Sequence, residues 1–164
     1  MRLALTVVLA GYGLICLRDP TPHRLIDSVD LVIHEAGHVL FGPFGEFLGF
    51  LGGTLMQLIL PAAFVGYFMR QGDRHAASVS LWWVAQNLWN ISVYVRDARS
   101  QALPLIGGEH DWAYLLGRLN LLDYDQVLGR TIYFVGVLIF LYAIVVGIVL
   151  TYSESGWRSR TSPG

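Results

Sequence analysis

Residues 131–150, "TIYFVGVLIFLYAIVVGIVL", run without a single charge. About 20 apolar residues are enough to cross the hydrocarbon core of a bilayer as a helix. In lipid every backbone N–H and C=O needs an internal partner, so an isolated segment of this kind has to be helical. Three further stretches extend the pattern: 47–69, which contains Pro61; 76–95, uncharged but carrying Gln86, Asn87 and Asn90; and the shorter 3–17, which follows Arg2. The last resembles a signal-peptide core, but "CLRDPTPHR" is a poor cleavage site, so it reads as a retained anchor. Only 14% of the chain is charged, against about 25% in soluble domains. The expected fold is all-α: a multi-pass transmembrane helical bundle with about four spans. It forms one integral membrane domain over 1–152, followed by a disordered tail over 153–164.

A net charge of −1 gives no electrostatic case for nucleic acid. Cys16, the one cysteine, excludes an internal disulfide and a thiolate metal site, and reads as a small buried hydrophobe. With four spans and a cytoplasmic N-terminus, Arg2, Arg70, Arg74, Arg158 and Arg160 fall inside on short pieces of chain, as the positive-inside tendency asks. Both termini are then cytoplasmic, and 18–46 and 96–130 share the outer face. Trp82, Trp83, Trp89 and Tyr94 are expected in part as anchors at the bilayer boundary.

The segment 25–41 is too polar for a lipid-facing span and ends at "GPFG", where Pro and Gly stop a helix. It is expected at the interface or tucked among the other helices, with Ser28 or Asp27 capping its start. Within it stands His34-Glu35-Ala36-Gly37-His38. The two histidines lie at i and i+4, on one helical face, so their nitrogens can reach one Zn²⁺. Glu35 stands beside them, able to take a proton from a metal-bound water, as in the motif H-E-x-x-H. Ionisable groups at membrane depth are costly unless paired or functional. The less eventful alternative is an interfacial helix with solvated histidines.

"HEAGH" and its apolar flanks, in a multi-pass setting, resemble the active-site motif of the site-2 protease class of intramembrane zinc metallopeptidases. The resemblance implies zinc on His34 and His38 and Glu35 as catalytic base. That class takes its third ligand from an Asn-Pro-x-x-Asp-Gly-like motif, which this chain lacks. A catalytic zinc usually has three protein ligands and one open position. One candidate is Asp97, at the end of a stripe with Asn87, Asn90 and Tyr94 that shares a helical face. The stripe should face the protein interior, with those three as supporting or substrate-facing groups. The other source is "IGGEHDW", where two glycines permit a tight turn and His110 or Glu109 could complete the site. Asp111 is expected as a helix cap or a supporting group. Asp73 and His75 read as a solvated turn, and Asp123 and Asp125 as a cap and a solvated turn.

The leading expectation is a membrane-embedded zinc-dependent hydrolase, most simply a peptidase acting on a membrane or membrane-adjacent polypeptide. The alternatives are a non-catalytic membrane metal-binding protein and a structural membrane subunit.

Overall fold

A computed structural model describes residues 1–104 and 109–161, with side chains as far as residue 152. Every element among the described residues is helical: α1 (Arg2–Arg18), α2 (Leu25–Phe41), α3 (Glu46–Arg70), α4 (Arg74–Arg96), α5 (Asp111–Arg118) and α6 (Asp125–Thr161). The four apolar stretches lie within α1, α3, α4 and α6. The stretch expected as a disordered tail is described as helix to Thr161, and 162–164 lie outside the described residues.

Among the described residues, two segments are long and apolar enough to cross a membrane, Glu46–Arg70 and Leu122–Tyr152. At 17 residues α1 measures about 25 Å, short of a hydrocarbon core of about 30 Å. The polar side chains of α4 are turned inward: Gln86, Asn87 and Ser92 are all buried.

α4 is the central helix, packing against α6, α3 and α1, while α2 lies on α3. One core joins Cys16 of α1, Trp82, Ala85 and Trp89 of α4, and Phe140 and Ala143 of α6. Cys16 is thus the buried hydrophobe its surroundings suggested. Trp82 and Trp89, expected partly as interfacial anchors, are instead buried at 4% and 1% exposure. A second core gathers Ile91, Val95, Ala98 and Leu116, tying α5 to the end of α4.

Local signals set the boundaries. After α2 the chain makes one 3-10 turn over Gly42–Phe44, then passes Gly45 at φ 111°, a conformation suited to glycine, before α3 begins. Asp27, not Ser28, closes the start of α2, accepting the Arg24 amide at 2.7 Å. The turn before α4 differs from the expected solvated one. Asp73 caps α4 by accepting from the Ala76 amide at 3.0 Å and pairs with Arg2 at 3.3 Å. His75 is buried and bonds Thr6 of α1 at 3.0 Å. Asp125 is also buried, paired with Arg99 at 2.8 Å, whereas Asp123 is exposed.

Candidate metal centre

On α2, residues 27, 30, 34 and 37 recur at helical spacing and form its buried face. That face meets α3 closely because both helices carry glycine at the contact. A Cβ on Gly37 would collide with the Gly52 carbonyl, and a Cβ on Gly53 would collide with the imidazole of His34. The His34 ring therefore lies flat against the α3 backbone, in space that only glycine leaves.

Both histidines are oriented through Nδ1. His34 Nδ1 is 2.8 Å from Gln57 Oε1, and His38 Nδ1 is 2.8 Å from the Gly49 carbonyl oxygen. Oxygen acceptors require the Nδ1 proton, which turns each Nε2 toward the site; this is how metal-binding histidines are commonly fixed. Gln57 is itself held, since its Nε2 donates to Asn90 Oδ1 at 3.3 Å.

The two Nε2 atoms converge on one oxygen. Asp111 Oδ2 is 2.8 Å from His34 Nε2 and 3.3 Å from His38 Nε2. The Asp111 amide donates to the Tyr94 hydroxyl oxygen at 3.2 Å, which anchors the start of α5 to α4. His34, Glu35 and His38 bring one ligand-type atom each to within 4.8 Å of one another. Burial pushes the Asp111 carboxyl up, but the two histidines against it outweigh that and hold it below the usual carboxylate range. The same contact pushes His38 up to about 9, against the opposing effect of burial.

His34, Glu35 and His38 form a group that could hold a metal ion, and Asp111 stands against both histidines. Around tetrahedral zinc, ligand atoms at about 2.1 Å from the metal stand about 3.4 Å apart. The His38–Asp111 separation is near that edge, and His34 and Asp111 need part by only about half an ångström.

The carboxylate that stands against the two histidines is Asp111, not Asp97. The Asp97 carboxylate is consumed by its own loop: it accepts from the Ser100 hydroxyl and from the amides of Ala102 and Leu103, the two amides at 3.0 Å. Burial pushes this carboxyl up, but those donors, with His110 beside it, hold it low. His110, expected as an alternative ligand, is buried 3.4 Å from Asp97 and caps α5 through Nδ1, which accepts the Ala113 amide at 3.3 Å. That is the cap expected of Asp111. Burial holds the His110 imidazole below its usual range. Glu109, the other alternative, is exposed and stands on the rim of a cavity rather than among the ligands. Gly107 and Gly108, expected to form a tight turn there, lie outside the described residues.

The stripe on α4 faces inward. Asn90 and Tyr94 are each one hydrogen bond from a group that touches a histidine, whereas Asn87 bonds Asp30 instead. Asp27, expected only as a helix cap, and Asp30, which sequence reasoning passed over, are buried on the same face of α2 as His34. Their 3-and-4 spacing to His34 was the available signal.

A cavity of about 1060 Å³ opens beside the histidines. Its lining includes Glu35, Glu46, Phe50, Asn90, Tyr94 and Glu109. Phe50 stacks on Tyr114 with ring centroids 4.1 Å apart, and the Tyr114 hydroxyl donates to Glu46 at 2.9 Å, so α3 and α5 are pinned together at one wall. No family model matches the chain, and no curated protein or solved structure matches it.

Proposed function

We propose that this chain is a membrane-embedded zinc hydrolase, a peptidase in which His34, His38 and Asp111 hold the metal and Glu35 is the general base. The observation that carries the reading is the convergence of both Nε2 atoms on a single Asp111 oxygen, beside a cavity that Glu35 lines. Bound zinc supplies a water acidic enough to be a nucleophile near neutral pH. Glu35, beside the two histidines, would be the base for such a water and would return the proton to the leaving amine. Tyr94, whose oxygen accepts the Asp111 amide, keeps its own proton to donate to the oxygen of a scissile carbonyl. The cavity has room for several residues of an extended polypeptide, and in a membrane-embedded enzyme the substrate would be a membrane or membrane-adjacent chain.

In this reading α1, α3, α4 and α6 all cross the bilayer and both termini are cytoplasmic. The joints at 18–46 and 97–124, which carry α2 and α5, then lie together on the outer face. The contact of His34 with Asp111, which joins α2 to α5, supports that arrangement.

The test is the metal content of the detergent-purified protein. Wild type and Asp97→Ala are expected to hold about one zinc per chain, and His34→Ala and Asp111→Ala to hold none. Full zinc in a folded Asp111→Ala variant would remove Asp111 from the ligand set. A folded, metal-free wild type would leave a structural subunit in which Asp111 merely pairs with the histidines.

A further inference from the structure

One helical turn before His34, the seam between α2 and α4 holds a second polar cluster, built from oxygen rather than nitrogen. Asp27 is 7% exposed and Asp30 1%. Asp27 has both oxygens engaged: Oδ1 accepts from Gln86 Nε2 at 2.7 Å, and Oδ2 from the Arg24 amide. Asp30 has only Oδ1 engaged, accepting from Trp83 Nε1 at 2.8 Å and Asn87 Nδ2 at 3.3 Å. The Gln86 amide also lies against Asp30.

What remains is one-sided. Asp30 Oδ2, Gln86 Oε1 and Asn87 Oδ1 are all buried, and none has a hydrogen-bond partner. All three are acceptors. Turning either amide over does not help, because its carbonyl oxygen would then face the carboxylate it now donates to. No ion pair reaches Asp30 among the described residues. A buried carboxylate without a cation costs several kcal/mol. A proton on Asp30 would make one hydrogen bond and still leave an amide oxygen orphaned. Asn87 and Gln86 both lie against Asp30, and a hard cation takes several oxygen ligands at once.

We propose that Asp30 Oδ2, Gln86 Oε1 and Asn87 Oδ1 form a binding site for an alkali cation, Na⁺, between α2 and α4. Hard oxygen donors select hard cations, whereas the imidazoles one turn away select zinc. The charge points to a monovalent ion: a single carboxylate oxygen is uncommitted, and a divalent cation calls for more carboxylate or more water than so buried a seam offers. Asp27, whose Oδ1 holds Gln86, lines the cavity beside the histidines. Bound there, the ion ties the helix that carries both histidines to the central helix of the bundle. Its role is to hold α2 against α4, and its occupancy does not depend on whether the centre at the histidines is hydrolytic.

The experiment is thermal unfolding of the detergent-purified full chain in sodium, potassium and choline chloride at equal ionic strength. The wild-type midpoint is expected to lie at least about 3 °C higher in sodium than in choline, by binding linkage. The difference should vanish in Asp30→Asn, with zinc content unchanged. Should Asp30→Asn fail to fold, ²³Na line broadening by the wild type, reversed by excess lithium, decides the matter. Equal midpoints in the three salts together with no ²³Na broadening would overturn the site and assign the orphan oxygens to water or a proton.

Discussion

α4 presents two faces of opposite character. Toward α1 and α6 it offers Trp82, Ala85 and Trp89, closed over by Cys16 and Phe140. Toward α2, α3 and α5 it offers Trp83, Asn87, Asn90 and Tyr94, and each meets a particular polar partner: Asp30 for the first two, Gln57 for the third, the Asp111 amide for the last. The first face is held by close packing, which is strong but not directional. The second is held by hydrogen bonds that specify one atom each. A defect in the first should lower stability and leave the metal centre its geometry. A defect in the second should change the site at modest cost in stability.

The sharpest test of that division is Glu35→Gln, which leaves both faces intact. Hydrolysis of a fluorogenic peptide substrate should fall by about 10²–10⁴-fold, the range for loss of a general base. Zinc content should stay at the wild-type level. Retained hydrolysis would remove Glu35 as the general base, and no hydrolysis by the zinc-loaded wild type would favour a metal-binding protein that performs none. Trp89→Ala attacks the other face. It should destabilise by about 3–5 kcal/mol in chemical unfolding, as large aromatic truncations do. The folded fraction should bind zinc as before; weakened zinc in that fraction would show that the two faces are coupled.

The sequence made the local features legible and left the long-range ones open. His34, Glu35 and His38 could be read because i, i+4 geometry needs nothing beyond one helix. The four long apolar helices could be read for the same reason. The choice between Asp97 and Asp111 could not, because it turns on the path of the chain from 97 to 111. A local clue did exist: Asp97 precedes Ser100 by three residues and is followed by free loop amides, a pattern in which a carboxylate closes its own turn. The same periodicity that aligned the α4 stripe would have aligned Asp27 and Asp30 with His34. His75 was the opposite case, polar in a polar turn, and nothing nearby announces that Thr6 will cover it.

Gln57→Leu acts on the polar face without touching a ligand. It removes the acceptor of the His34 Nδ1 proton and releases Asn90. Zinc affinity should weaken by about 10–100-fold, the usual effect of losing a group that orients a metal-bound histidine. Competition with a chromophoric chelator measures this. Unchanged affinity would mean that the close fit of His34 over Gly53 is enough to hold the ring.

Asp97→Ala should have the smallest effect and is the most direct comparison of the two aspartates. The variant loses three hydrogen bonds to a buried carboxylate at the turn after α4. Because the turn borders solvent, a loss of about 1–2 kcal/mol is expected. Zinc should be retained, in contrast to Asp111→Ala. The pH dependence follows from the lowered Asp97 carboxyl. A carboxylate whose folded value lies below its unfolded value of about 3.9 stabilises fully above that pH. The contribution is lost as pH falls through the lower folded value. Unfolding profiles of wild type and Asp97→Ala should therefore run parallel above about pH 5 and converge in acid. Profiles that stay parallel into acid would show that the amides around Asp97 hold the turn without its charge.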